Sequence, residues 1–153
     1  MSEIESRLAE LGVVLETPPA PAANYVPFVI TGNHVWVSGQ ISQDETGFIT
    51  GKLGADLTAE QGAGAAKTCA IALLAQLKAA TGGDLDRLVR VVKLLGFVNS
   101  TPDFTDQPKV INGASHFLVD ALGDKGRHAR SAVSAGSLPF GVAVEIEAVF
   151  EIA

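Results

Sequence analysis

The C-terminal stretch HARSAVSAGSLPFGVAVEIEAVFEIA, residues 128–153, decides the fold. Its two segments of small and β-branched residues predict two strands that pair as a C-terminal hairpin, with a turn at Leu138 and Pro139. In the second strand apolar side chains alternate along one face, and three glutamates lie along the other. Arg130 begins the first strand and Glu145 lies within the second, although folding alone requires neither charge. We therefore expect one sheet face to pack on helices and the other to meet solvent or another chain.

The segments upstream of residue 58 predict a short helix and a hairpin. Ser2 and Glu5 resemble a capping box, and the apolar spacing predicts a leading helix over residues 3–11, which the prolines after it end. The sequence FVITGNHVWVSG predicts two strands around a two-residue turn at Gly32-Asn33. Residues 39–57 predict an irregular connection with one short strand near Phe48 and Ile49.

The segments downstream alternate helix and strand. Thr58 and Gln61 predict a capped long helix that ends at Ala80, before a glycine pair. Residues 88–99, LVRVVKLLGFVN, predict a buried strand. A second helix, with Asp103 as its N-cap, is expected to end near Gly123. This order predicts an α+β sandwich in which two helices cover one face of a single mixed sheet.

Composition restricts the class of protein. With 153 residues and a hydrophobic fraction of 47%, the chain fits one globular domain, and its apolar excess hints at oligomers. A formal net charge of -6 argues against a nucleic-acid partner. The single cysteine, Cys69, is expected to be a buried small hydrophobe in a reducing, cytoplasmic setting. We expect no signal peptide, because the first residues are amphipathic and acidic, and no membrane span, because no apolar run reaches the length required.

Several motifs together resemble the RidA (YjgF) family of imine and enamine deaminases. HARSAV followed by VAVEIEAV resembles the family's C-terminal block, and NYVPFV, VWVSGQIS and DFTDQPKVIN resemble its first hairpin and second-helix region. The resemblance divides the chain into an N-terminal extension with a short helix, residues 1–20, and a RidA-like single domain, residues 21–153. It implies a chorismate-mutase-like fold and a homotrimer, with three sheets facing a central barrel and ligand clefts between neighbouring subunits.

The resemblance assigns catalytic roles to Arg130 and Glu145. Arg130 matches the arginine that holds a substrate carboxylate, and a guanidinium suits a planar carboxylate because it is always charged and offers paired donors. The alternative is an arginine paired with Glu145 or with a neighbour's carboxylate to fix the trimer. Glu145 matches the carboxylate that positions water for attack on an imine carbon. Its alternative is a simple interface or solvated glutamate.

Five further residues match substrate-binding positions of the family. These are Tyr25, Ser38, Gly39, Asn112 and Ala132. Tyr25 would lie at the rim of the cleft, or would only pack the hairpin edge. The alternatives for the other two side chains are that Ser38 only completes a turn beside Gly39 and that Asn112 only faces water. Many family members have cysteine where this chain has Ala132, and the family pattern implies that this position acts through its backbone groups.

We expect no metal and no cofactor. His34 and His116 lack the spacing with carboxylates or Cys69 that a metal site needs. His128 could exchange protons with a substrate, although a loop histidine is more often solvated or bonded to backbone. The chain also lacks the GxxxxGK[ST] and GxSxG motifs of nucleotide hydrolases and serine esterases.

The resemblance leads to one main function and two alternatives. The main function is hydrolytic deamination of small 2-imino or enamine acids, which gives a 2-keto acid and ammonia. One alternative is a non-catalytic trimer that binds small carboxylate metabolites or acts like a chaperone. The other is the endoribonuclease activity attributed to some relatives (L-PSP type), against which the acidic charge and the lack of a His-rich centre argue.

Overall fold

The computed structural model describes residues 1–21 and 23–153 and has the α+β fold that the sequence predicts. The bounds of its elements are α1 Glu3–Glu10, β1 Phe28–Thr31, β2 His34–Ile41, β3 Gln43–Asp44, β4 Gly47–Phe48, α2 Ala59–Ala80, β5 Leu88–Asn99, α3 Gln107–Leu122, β6 Ala129–Ala135 and β7 Val144–Ile152. A mixed sheet has the strand order β1-β2-β7-β5-β6, and β3 pairs with β4 separately. Side chains of α2 and α3 join the inward side chains of the large sheet in one core.

The leading helix α1 forms as predicted and packs on the rest of the chain. Its capping box is present: Ser2 caps the backbone N–H of Glu5, and the Glu5 side chain accepts from the backbone N–H of Ser2. Ile4 and Leu8 are buried in the core. The Arg7 Nε donates to the carbonyl oxygen of Asp120 on α3 at 2.9 Å. These contacts join α1 to the same core as the sheet.

The predicted hairpin and its connection are also present. β1 and β2 pair across the Gly32-Asn33 turn, where Gly32 has a φ of +58°, a value that favours glycine. The connection contains a small hairpin, β3 with β4, where the sequence predicted a single short strand near Phe48 and Ile49. The long helix α2 begins after its Thr58 cap, as predicted.

The start of α3 differs from the prediction. Asp103 does not cap this helix, which begins at Gln107 after Asp106. Pro108 explains the difference, because a helix that began after Asp103 would place this proline in its interior. Proline lacks the N–H that the helical ladder needs there, whereas it is tolerated in the first turn. The predicted end is correct, since Gly123 follows the last helical residue with a φ of +64°.

The predicted C-terminal hairpin is wrong, because β6 and β7 are not neighbours. β5 lies between them, parallel to β6 and antiparallel to β7. The crossover through α3 returns the chain alongside β5 in the same direction, as a parallel connection requires. The segment 136–143 then crosses the end of β5, a distance of about 10 Å for two strand spacings.

The two faces of β7 follow the predicted alternation within the strand. Val144, Ile146, Ala148, Phe150 and Ile152 are buried, and the residues between them are at least partly exposed. Ala143 was predicted on the second face but is buried. It precedes the strand, so the alternation does not extend to it, and its N–H donates to the Ile49 carbonyl oxygen. We call the face that points away from the helices the outer face.

The outer face exposes several large apolar side chains. Val29, Trp36 and Val133 are each more than 40% exposed. Half-buried Leu95, Phe97 and Val149 lie between them on the central strands. Apolar side chains of this size and number on one sheet face are typical of a surface that meets another chain.

No helix in the described part of the chain is both long and apolar enough to span a membrane.

Candidate functional site

Arg130 lies on the helix-facing side of the edge strand β6. It pairs with Leu94 of β5, which is buried in the core, so both side chains point toward the helices. The guanidinium contacts α3 twice: Nη1 donates to the Ser115 Oγ at 3.0 Å, and Nη2 donates to the Pro108 carbonyl oxygen at 3.3 Å. The side chain is half-buried, and α3 holds it by its head group.

The acceptors that hold Arg130 are neutral. Within residues 1–21 and 23–153, the salt bridges join Arg7 to Glu10, Lys78 to Glu5 and Arg127 to Asp124. The pairing of Arg130 with Glu145 that the sequence left open is therefore not made inside one chain. A hydroxyl and a carbonyl orient the guanidinium without cancelling its charge, which leaves it able to bind an anion.

His128 lies behind Arg130, on the other side of Ser115. Its Nε2 is 2.9 Å from the Ser115 Oγ, and its Nδ1 is 2.6 Å from the Gly126 carbonyl oxygen. Burial lowers the pKa of His128, the Arg130 charge lowers it further, and the bond to Gly126 acts in the opposite direction. The lowered pKa favours the neutral imidazole.

Asn112 and Ala132 lie on the same side as Arg130. Asn112 is four residues after Pro108 and three before Ser115, so the three share one face of α3. Ala132 follows Arg130 by two residues on β6, and two positions along a strand point to the same face. Ala132 pairs with Gly96, whose missing side chain makes room for Ile111. We call Arg130, Asn112 and Ala132 the guanidinium half-site.

Glu145 lies on the opposite face of the sheet. It pairs with Ile41 and Phe97, and its side chain points outward between buried Val144 and Ile146. Burial raises the pKa of Glu145, and the charge of Glu147 raises it further. A carboxyl group with a raised pKa is a better proton acceptor when ionised than an ordinary glutamate.

Gly39 makes room for the Glu145 side chain. It lies in a β-bulge, where three steps along β2 from Val37 to Gln40 match two steps along β7. A Cβ atom on Gly39 would lie 3.0 Å from the Glu145 Cδ and 3.2 Å from its Oε1. These distances are shorter than ordinary contacts, so a glycine here lets the carboxylate lie directly over the bulge.

Ser38 precedes Gly39 on β2 and bonds to the segment that carries Tyr25. The Ser38 Oγ donates to the Val26 carbonyl oxygen at 2.8 Å, and its N–H donates to the Pro27 carbonyl oxygen at 2.9 Å. The bulge thus holds the segment that carries Tyr25, whose side chain is exposed. We call Tyr25, Ser38, Gly39 and Glu145 the carboxylate half-site.

The two half-sites do not meet within one chain. They occupy opposite faces of the sheet, and β5 separates β6 from β7, which places these strands about 10 Å apart. Arg130 and Glu145 are close in sequence, yet an anion held by one guanidinium is out of reach of the same chain's carboxylate. One cleft that contains both groups requires two copies of the chain.

Sequence reasoning missed Ser115. His128 was considered as a proton carrier or a backbone-bonded loop residue, and the structure shows the backbone bond to Gly126 together with the unexpected bond to Ser115. The available signal was the spacing of Ser115 from Asn112, which places both on one face of α3.

Cys69 and the remaining histidines do not form a metal site. Cys69 is buried, its Sγ donates to the Val144 carbonyl oxygen at 3.5 Å, and burial raises the pKa of its thiol. The described residues include no cluster of three or more His, Cys, Asp or Glu side chains able to hold a metal ion. The predicted role of Cys69 as a buried hydrophobe is confirmed.

Comparisons with known proteins agree with the fold and the motifs. Residues 5–150 match the family model described as "YjgF/chorismate mutase-like, putative endoribonuclease". Protein TCP17 of Trypanosoma cruzi is 48% identical over 151 residues, which cover 97% of this chain and 94% of that protein.

Two crystal structures extend the comparison. Atu1372, a protein of unknown function from Agrobacterium tumefaciens, is 50% identical with a TM-score of 0.91 and covers 98% of this chain and 92% of its own. RidA from the Antarctic bacterium Psychrobacter sp. PAMC 21119 is 28% identical with a TM-score of 0.54 and covers 89% of this chain and 94% of its own. The match over nearly the whole chain shows that this protein belongs to the YjgF/RidA family.

Proposed function

We propose that this chain is a cofactor-free hydrolytic deaminase of small 2-imino and enamine acids, which acts at clefts between the subunits of a homotrimer. The observation that carries the proposal is the state of Arg130: its half-buried guanidinium is oriented by two neutral acceptors and, among the residues that the structure describes, pairs with no carboxylate. A group prepared in this way fits a small anionic substrate. The buried thiol of the single cysteine agrees with a reducing, cytoplasmic setting.

In the proposed reaction Arg130 binds the substrate carboxylate and Glu145 directs water. A protonated 2-imino acid presents an electrophilic carbon beside its carboxylate. Glu145 accepts a proton from water as the water oxygen bonds to that carbon and the C=N π electrons move to nitrogen. This proton passes from Glu145 to the nitrogen, and the C–N bond breaks as the hydroxyl oxygen forms the keto C=O. Glu145 takes the remaining hydroxyl proton and passes it to the departing ammonia, which leaves as ammonium. The products are a 2-keto acid and ammonium, and the overall balance needs only water. The raised pKa of Glu145 suits this proton transfer.

The proposal requires Arg130 from one subunit and Glu145 from its neighbour. The apolar outer face supports such an assembly, because Trp36 and Val133 are exposed there in a single chain. A neighbour that covers this face would bring its β6 edge toward the carboxylate half-site. Sedimentation equilibrium measures the number of subunits directly, and a monomer that deaminates at full rate would contradict this arrangement.

Two alternative functions remain: binding of a carboxylate metabolite at the same cleft, and cleavage of RNA. A carboxylate-binding trimer without turnover would keep the role of Arg130 and lose that of Glu145. An endoribonuclease, the activity in the family description, would have to bind an anionic polymer with a chain of net charge -6. Turnover of a small imino acid distinguishes the deaminase from the first alternative. Digestion of defined RNA by highly purified protein tests the second.

The experiment generates 2-iminobutyrate in situ with an amino-acid oxidase and measures keto-acid release with and without the protein. We expect acceleration by the native chain, and a loss of roughly 100-fold or more in kcat/KM for Arg130→Ala or Glu145→Gln. The matched controls are Arg127→Ala, an exposed arginine paired with Asp124, and Glu151→Gln, a glutamate further along the same face.

The pattern of results decides between the functions. The proposal fails if the native protein gives no acceleration, or if Arg130→Ala keeps the full rate. Binding of 2-ketobutyrate by calorimetry without turnover supports the metabolite-binding alternative. If both controls lose as much activity as Arg130→Ala and Glu145→Gln, the effect is general surface charge and not a defined site.

A further inference from the structure

Arg130, Ser115, His128 and Gly126 form a chain of hydrogen bonds with a fixed direction, which we call the α3–β6 relay. Arginine can only donate, so the Ser115 Oγ accepts from Nη1. The serine hydroxyl has one proton, and it points to the unprotonated Nε2 of His128 at 2.9 Å. The Nδ1 of His128 then carries its proton and donates to the Gly126 carbonyl oxygen, which can only accept. Both ends of the relay therefore set the tautomer of the histidine and the rotamer of the serine.

The far end of the relay is packed against α3. Gly126 is buried, and a Cβ atom added to it would lie 2.3 Å from the Leu118 carbonyl oxygen. The turn at residues 123–126 therefore lies directly against α3, and this packing positions the Gly126 carbonyl that accepts from His128. An acceptor held in this way orients the imidazole, and the imidazole orients the serine hydroxyl.

We infer that Ser115 and His128 are positioning residues for the proposed reaction: they hold the Arg130 guanidinium in the orientation that grips the substrate carboxylate. This inference rests on the proposed role of Arg130. The Pro108 carbonyl oxygen holds Nη2, and Ser115 holds Nη1, so the plane of the guanidinium is defined by two contacts. The remaining N–H groups are left for a planar carboxylate, and an arginine oriented in advance loses less side-chain freedom on binding.

A serine bonded to histidine also raises the question of a nucleophile. The geometry disfavours it, because the guanidinium donates to the same Ser115 oxygen that would attack. A donated hydrogen bond from a cation withdraws electron density from that oxygen and makes it a poorer nucleophile. The relay is built to hold a cation, and the serine acts through Arg130.

Two pairs of variants separate this role from a purely structural one. His128→Gln keeps an acceptor near the position of Nε2 for the Ser115 hydroxyl, whereas His128→Asn keeps only a donor near Nδ1 for Gly126. Ser115→Thr keeps the hydroxyl, and Ser115→Ala removes it. We expect Ser115→Ala and His128→Asn to raise the KM for 2-iminobutyrate and the Kd for 2-ketobutyrate roughly five- to tenfold, with kcat within about twofold. Ser115→Thr and His128→Gln should retain values within about twofold of the native protein.

A spectroscopic readout keeps the test independent of turnover. In nitrogen-15 spectra, assigned by the loss of signals in Arg130→Lys, the native Arg130 Nη groups should give separate signals because hydrogen bonds slow their rotation. Ser115→Ala should merge them. Native signals that are already averaged overturn the inference, as does a histidine series in which Asn retains affinity and Gln loses it. If the protein binds 2-ketobutyrate without turnover, the deaminase proposal fails while the Kd series still decides the relay.

Discussion

Replacement of Gly39 by alanine tests whether the proposed reaction depends on the position of the Glu145 carboxylate over the β-bulge. The new Cβ atom would lie 3.0 Å from the Glu145 Cδ, 3.1 Å from Cγ and 3.2 Å from Oε1, whereas ordinary contacts begin near 3.4 Å. The carboxylate must therefore shift by 0.2 to 0.4 Å, the difference between these distances. The φ of Gly39 lies outside the left-handed region, so an alanine is not strained by its backbone.

The expected loss of kcat follows from the size of this shift of the carboxylate. A misplacement of 1 Å in an active site can cost about 100-fold, so in proportion a shift of a few tenths of an ångström corresponds to roughly two- to sixfold in kcat. The KM for 2-iminobutyrate should change less, because Arg130 on the other half-site holds the substrate carboxylate. The free energy of unfolding should stay within about 1 kcal/mol of the native value, since a flexible side chain gives way.

The assay is steady-state keto-acid release, with thermal unfolding measured on the same samples. Gly64→Ala is the control, because Gly64 lies on α2 and a Cβ atom there would meet nothing within 4 Å. If Gly39→Ala keeps full kcat while Glu145→Gln abolishes turnover, the position of the carboxylate over the bulge is irrelevant and the reasoning is refuted. A large loss of stability in Gly39→Ala would show instead that the bulge itself needs the glycine.

Three further predictions concern pH and packing. Glu147→Gln removes the repulsion that helps raise the pKa of Glu145, so the acid limb of the kcat profile, above the ordinary glutamate value near 4.5, should move to lower pH; an unmoved limb contradicts the assignment. The pKa of Glu145 is higher in the folded protein than in the unfolded chain, so protonation of Glu145 stabilises the fold. This stabilisation is fully present below the unfolded pKa and is lost as the pH rises through the folded pKa. Measurement of the free energy of unfolding at a series of pH values tests it. Gly113→Ala places a Cβ atom 1.9 Å from the Ala63 carbonyl oxygen and should lower the free energy of unfolding by about 3 kcal/mol or more. Gly64→Ala, where a Cβ atom meets nothing, should raise it by about 0.5 to 1 kcal/mol. Denaturant unfolding measures both, and equal effects of the two variants would refute the close approach of α2 and α3.

The local elements of the chain were predictable because their signals are local. The Thr58 capping box starts α2 at the predicted residue, and the β-branched run forms β5 at residues 88–99. Asp103 failed as a cap because Pro108, five residues later, moves the start of α3. Pro108 is itself a local signal for the start of α3, because proline is tolerated in the first turn of a helix.

Strand order was not predictable in the same way. Two strands joined by a short segment usually pair, and residues 129–135 and 144–152 have the composition of a hairpin. The strand β5 separates them because α3 packs on one face of the sheet and returns the chain parallel to β5, an outcome that depends on contacts between distant residues.

The sequence by itself determined the α+β class, the alternation of faces along β7 and the identity of the charged residues Arg130 and Glu145, because these depend on residue type and spacing along one element. Only the tertiary structure decided that the two charges lie on opposite faces of the sheet, and that Ser115 joins Arg130 and His128 by hydrogen bonds. The physical reason is that a face or a hydrogen-bond partner is set by which strands and helices pack side by side. Such contacts join residues far apart in the chain, and no local pattern records them.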